Sequence, residues 1–259
     1  MLVDSHCHLN FPELSSRLNA VMENARAMDV ACMQTICTRM RELPDILAIA
    51  SRYDNVWCSA GVHPNNVAEG PPVTAEELIE AAKNPKVIGL GETGLDYYYE
   101  HTPRKAQMHS FLEHIKASRE TGLPVIVHTR SADEDTIKTL ETEMKKGKFP
   151  GLIHCFSTGF ELAESAIDLG MYVSISGIVT FKKAVELHES VKNIPLKNLL
   201  VETDAPYLAP MPYRGKPNEP AYTSYTARFI AELKGISYEE VAKVTTENFF
   251  RLFTKAVVV

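Results

Sequence analysis

Long apolar runs are missing from this sequence. Nowhere does it approach the roughly 18 consecutive apolar residues that a membrane-spanning helix needs. Its first residues, MLVDSHCHLN, carry neither the basic nor the apolar stretch of a secretory leader. The sequence therefore predicts a soluble cytoplasmic protein with no membrane partner. Cysteine is scarce and odd in number: Cys7, Cys32, Cys37, Cys58 and Cys155, with no Cys-x-x-Cys pair. That excludes a disulfide framework and predicts reduced thiols. No Ser/Gly linker, low-complexity tract or charge block divides the chain, so residues 1–259 are read as one domain. Positive charge is not in excess, since the formal net charge is −6. This argues against a protein that coats nucleic acid through a basic surface. It leaves room for an enzyme that grips one phosphate through bound cations, because a local field can oppose the global one.

What is present is a repeated alternation. Short β-branched runs are followed by segments of helical period, the pattern of βαβ units around a parallel sheet. Eight strands are predicted: 2–5, 31–36, 56–62, 87–91, 124–127, 152–154, 172–176 and 198–202. Between them, Thr102 and Pro103 read as an N-cap and first-turn proline. Met108, Phe111, Leu112 and Ile115 then share a face, and Gly122 stops that helix. Further helices end at Gly147 and Gly170, and beyond Pro217 only helix is expected, over 221–233 and 238–246. Eight strands alternating with helices predict a (β/α)8 TIM barrel, with a doubly wound open sheet as the alternative.

The ligand-type residues fall at the ends of these strands. His6 and His8 are two apart on an extended segment and so face the same way. Glu92, His128 and His154 each follow an apolar strand directly, and Asp204 follows the eighth. In a barrel, carboxyl ends of strands are the chemical face. Six imidazoles and carboxylates buried there would be costly unless paired or bound to metal. The set exceeds the three protein ligands of a lone catalytic zinc. It predicts two divalent cations, with Glu92 as the bridge; His6, His8 and Asp204 hold one ion, and His128 and His154 the other. Such ions, about 3.5–4 Å apart, share a hydroxide and clamp both oxygens of a displacement. The predicted reaction is therefore metal-dependent hydrolysis. Four imidazoles favour Zn²⁺ or Mn²⁺, whereas Mg²⁺ prefers oxygen ligands.

Several motifs in order carry a resemblance. They are Asp-Ser-His-Cys-His-Leu at 4–9, Gly-Val-His-Pro at 61–64 and Gly-Glu-Thr-Gly-Leu-Asp at 91–96, then His-Thr-Arg at 128–130. His-Cys-Phe-Ser at 154–157, Glu-Thr-Asp-Ala-Pro-Tyr-Leu at 202–208, Asn-Glu-Pro at 218–220 and Asn-Phe-Phe at 248–250 complete them. Together they make the chain resemble the TatD family of metal-dependent deoxyribonucleases, among the amidohydrolase-like barrels. The resemblance implies that His6, His8, Glu92, His128, His154 and Asp204 are the metal ligands. It also implies nuclease action on DNA, commonly from a 3′ end, supported by Mg²⁺, Mn²⁺ or Zn²⁺. One departure is Thr158, which stands between Ser157 and Gly159 where family members often have Ser-Gly.

His63, Arg130 and Arg214 are candidates for contacting substrate, and the tyrosines at 97–99 offer stacking faces to unpaired bases. Glu202 shares strand parity with Asp204 and is read as supporting the ligands. His101, His109, His114 and His188 read as solvated. The competing readings are a small-molecule amidohydrolase or lactonase, another phosphoesterase, and a non-catalytic binding protein. Two-metal amidohydrolases commonly use a carboxylated lysine from the fourth strand. Here that strand's only lysine, Lys86, lies at the wrong end, which disfavours the amidase reading.

Overall fold

In the computed structural model, which describes residues 1–257, eight parallel strands pair in sequence order. The order of elements is β1 (Leu2–Cys7), α1 (Pro12–Ser15), α2 (Leu18–Ala27), β2 (Val30–Thr35), α3 (Leu43–Ser51), β3 (Val56–Ala60) and α4 (Ala75–Ala81). There follow β4 (Val87–Asp96), α5 (Arg104–Thr121), β5 (Val125–Arg130), α6 (Asp133–Lys146), β6 (Gly151–Ile153), α7 (Phe160–Asp168) and β7 (Tyr172–Ile175). The chain ends with α8 (Val185–Asn193), β8 (Leu199–Val201), α9 (Thr223–Lys234) and α10 (Tyr238–Leu252). The last strand returns to the first: Asp204 N donates to His6 O and His8 N to Ala205 O, each at 2.8 Å. The expected barrel is therefore the observed one, nearly closed, and the open-sheet alternative falls away.

Apolar packing is divided in two. Outside the strands, Leu2, Met33, Val56, Val125, Val173 and Leu199 pack under the helices. Inside, Val3, Trp57, Ile88, Ile126, Leu152 and Leu200 form a floor that Phe249 and Phe253 close from below. Above it the bore turns polar: the Ser5 and Ser174 hydroxyls meet at 2.9 Å, from strands that are not neighbours. Strand parity changes once along β1. Leu2 and Cys7 both face the helices, and the register against β2 shifts between Asp4 and Cys7. That shift lets His6 and His8 both look into the mouth.

Boundaries differ where chemistry interrupts the apolar pattern. β4 runs five residues past Gly91, so Glu92 lies within the strand, not at its end. Gly94 makes this continuation possible: it sits at φ 129°, and a Cβ there would come within 2.0 Å of the His128 carbonyl. β5 likewise continues to Arg130. Thr102 does not cap α5, which starts at Arg104; its hydroxyl instead donates to Pro64 O at 2.7 Å. Gly122 ends α5 in the left-handed region, at φ 72°. α10 extends to Leu252, beyond the expected 246, because Phe249 and Leu252 are needed under the floor. All five cysteines are free thiols, four of them buried. No helix among the described residues is long and apolar enough to cross a membrane.

Candidate metal centre at the barrel mouth

Glu92 occupies the middle of the mouth and is almost completely buried. Its Oε1 lies 2.7 Å from His154 Nε2, 3.0 Å from His128 Nδ1 and 3.3 Å from His63 Nε2. Its Oε2 lies 3.4 Å from His6 Nε2. Asp204 Oδ1 is 3.3 Å from His8 Nε2 and 3.6 Å from His6 Nε2. The structure thus brings together all six residues read as ligands in the sequence, from five strands, and sets His63, read as a substrate contact, against Glu92 as well. The imidazoles of His6 and His154 stack in parallel with centroids 3.9 Å apart.

Burial and charge compete at every one of these groups. Burial pushes the Glu92 carboxyl up, but the surrounding imidazoles of His154, His63 and His128 hold it well below the usual range. Burial likewise opposes Asp204, which the His8 hydrogen bond and the charges of His6 and His8 bring down. Burial lowers His6 and His63. It is outweighed by Asp204 at His8, by Asp96 and Glu92 at His128, and most strongly by Glu92 and Glu202 at His154. The carboxylates are thus fixed as anions at neutral pH.

A second ring of residues holds these side chains in place. His154 Nδ1 faces Glu202 Oε1 at 3.3 Å, and the same oxygen accepts from Cys155 N. Asp96 Oδ2 accepts from Asn65 Nδ2 and faces His128 Nε2 at 3.2 Å. Gln107 clamps Asp96 from below, accepting from its amide and donating to its carbonyl. Asp4 accepts from the amide and hydroxyl of Thr203 and so ties β1 to the turn bearing Asp204. Asp4, Asp96 and Gln107 were not singled out in the sequence. The signal available was parity, since Asp96 and Glu92 share a side of β4.

The donor set fits a divalent cation. Neither ring nitrogen of buried His6, nor Nδ1 of His8, has a hydrogen-bond partner among the described residues. Such orphaned groups cost free energy unless something else ligates them. Donors 2.0–2.1 Å from one tetrahedral ion lie about 3.4 Å apart, close to the spacings around Glu92 and Asp204. Three groups bring their donor atoms within 4.8 Å of one another: His6, His8 and Glu92; His63, Glu92 and His128; His6, His154 and Glu202.

The mouth opens into a cavity of about 620 Å³, lined among others by Phe11, Arg39, Tyr99, Arg130, Cys155 and Tyr207. Arg130 is on its wall. Arg214 is not among its lining residues; it is exposed and lies over the Phe181 ring, 4.4 Å from its centre. Arg39, unremarked in the sequence, is held there by two bonds to Glu69 at 2.7 and 2.8 Å. Lys86 serves the opposite end, donating to the Tyr53, Asp54 and Val56 carbonyls, and is in no position to bridge ions. His114, read as solvated, is fully buried.

Comparison with known proteins places the whole chain in one family. Residues 3–254 match a family profile described as TatD related DNase. The chain is 45% identical over 255 residues to the uncharacterized metal-dependent hydrolase YcfH of Escherichia coli K12, covering 97% of this chain and 95% of that one. It is 31% identical over 258 residues to the 3'-5' ssDNA/RNA exonuclease TatD of Escherichia fergusonii, covering 97% and 98%. The crystal structure of YJJV, a TatD homologue from Escherichia coli K12, superposes with a TM-score of 0.91 at 27% identity, covering 98% of each chain. A family match over nearly the whole length, with a ligand-rich mouth on the matching barrel, means that the chain belongs to the TatD family and is a metal-dependent hydrolase.

Proposed function

We propose that the protein is a nuclease that hydrolyses phosphodiester bonds of single-stranded DNA, working from a 3′ end in the cytoplasm, with residues 1–259 acting as one catalytic domain. The observation that carries this reading is Glu92, whose two oxygens face the imidazoles of four different strand ends within 3.4 Å. In this reading His6, His8 and Asp204 would hold one divalent cation and His128 and His154 a second, with Glu92 shared by both sets and His63 beside it. Zn²⁺, Mn²⁺ and Mg²⁺ are the candidate ions. When bound, they supply Lewis-acid activation of water and neutralise charge on the phosphoryl oxygens.

The chain's own residues do the rest. Glu92, kept ionised by its imidazoles, fixes the positions of the ligands on both sides. Asp204, at the cavity wall, orients the attacking water. Arg130, exposed at the same wall, offers a guanidinium to a non-bridging phosphate oxygen. The name of the Escherichia fergusonii relative supports nucleic acid as the substrate class.

The test is a time course on single-stranded DNA labelled separately at each end, with and without chelator, alongside elemental analysis. Chelator-sensitive release of mononucleotides from the 3′ label first is expected, and Glu92→Ala should lower the rate by at least about a thousandfold. Equal turnover by Glu92→Ala would remove the bridge, and inertness of metal-loaded protein toward DNA would remove the nuclease.

A further inference from the structure

Aromatic side chains stand on two sides of the cavity. On one, Tyr99 lines the cavity and is 47% exposed, and Tyr98, 60% exposed, meets it edge-on just outside the lining. The Arg130 guanidinium lies 4.1 Å from the Tyr98 ring centre and 4.6 Å from that of Tyr99, and it donates to Tyr99 Oη at 3.1 Å. On the other side Phe11 lies flat against His8, centroids 4.7 Å apart. Tyr207, 53% exposed, meets Phe11 edge-on at 6.1 Å. These three tyrosines are the well-exposed aromatic residues among the described residues. All lie in loops at this mouth, where water gives them no reason to gather.

Topology sets the two groups opposite each other. Phe11 and Tyr207 belong to the loops after β1 and β8, which adjoin where the barrel closes. Tyr99 and Arg130 come from β4 and β5, half-way round the strand order. Glu92 and its imidazoles lie between. The first wall is also fixed to the metal centre: Asp96 Oδ1 accepts from the amides of Tyr98 and Tyr99 at 3.0 and 3.1 Å, while its Oδ2 faces His128.

We propose that the two walls are base-binding subsites for the nucleosides on either side of the scissile phosphate, a reading that rests on the nuclease assignment. A phosphodiester at the centre, met by the Arg130 guanidinium, would send one base to the Tyr98–Tyr99 wall and the next to the Phe11–Tyr207 wall. Two neighbouring bases spread apart in this way are neither stacked on each other nor paired. The walls therefore select unpaired strands, and they do so by π-faces that every base possesses, without reading sequence. This arrangement also gives an acidic chain a grip on nucleic acid that does not depend on a basic surface.

Fluorescence anisotropy with end-labelled hexathymidylate and an abasic hexamer of equal charge, both carrying hydrolysis-resistant phosphorothioate linkages for the binding arm and ordinary phosphodiesters for the release arm, tests this directly. The metal-loaded wild type should bind the base-bearing strand about tenfold or more tightly than the abasic one. Tyr98→Ala combined with Tyr99→Ala should erode that preference, and adding Tyr207→Ala should bring it close to one. All three rings are exposed, so the variants should keep the wild-type melting temperature. Absence of a preference in the wild type, or its survival in the triple variant, overturns the walls. Nucleotide release measured in parallel separates the two readings. Preferential binding without release sinks the nuclease and keeps the walls; equal hydrolysis of both hexamers does the reverse.

Discussion

His114 is fully buried on α5, with Nδ1 donating to the Ser110 carbonyl at 2.7 Å and Nε2 accepting from the Val62 amide at 3.2 Å. The two bonds fix a neutral tautomer and anchor the backbone that leads into His63. Burial pulls this imidazole down to about 4, whereas in the unfolded chain it titrates near 6.5. As pH falls below about 6.5 the unfolded chain therefore takes up a proton that the folded one refuses. Stability is lost until pH reaches about 4, by roughly 3 kcal/mol in total. Replacing His114 with Gln, which can still accept from Val62, should remove that contribution. Urea midpoints between pH 7 and 4 should fall less steeply in the variant, and parallel slopes would refute the account. His114 was illegible as a buried group in the sequence because its partners are backbone atoms, one of them 52 residues away. The metal centre was legible for the opposite reason: His6, His8, Glu92, His128, His154 and Asp204 each interrupt or follow an apolar strand, and only chemistry explains polar groups there. Asp96 and Gln107, which hold His128 from behind, leave no such mark.

At the scale of elements, β4 shows where periodicity stops being informative. Its apolar run ends at Gly91, yet the strand continues through Glu92, Thr93 and Gly94 to Asp96. The continuation is stabilised by pairing with β5 as far as Arg130, a tertiary term that no local pattern contains. The other strands were legible because parallel strands are covered on both faces and read as continuous apolar runs. Gly94 is the residue on which the β4–β5 approach depends, since the His128 carbonyl fills the space of a side chain. Gly94→Ala should force β4 from β5 just where His128 projects toward Glu92. It should destabilise the fold by about 2–4 kcal/mol and weaken metal retention, read by denaturant unfolding and by elemental analysis after dialysis. Wild-type values in both would show that the strands have slack there.

The whole molecule divides its labour along the barrel axis. Imidazoles and carboxylates crowd the mouth, where burial and the orphaned nitrogens of His6 and His8 are costly unless a cation ligates them. The floor is apolar, and Phe253, fully buried, packs on Phe249 at 4.7 Å below the Gly89 position. Between the two ends lies a layer of small hydroxyls, including Ser5 and Ser174, that separates packing from chemistry. With packing and chemistry so separated, a cavity made at the floor should reduce stability without disturbing the mouth. Phe253→Ala should cost about 3–5 kcal/mol, lowering the melting temperature by several degrees in a chain of this size. At a temperature where both proteins remain folded, kcat/KM per folded molecule and the metal content should match the wild type. A fall in kcat/KM that exceeds the loss of folded protein would mean that the floor positions the ligands, and the axial division would then be wrong.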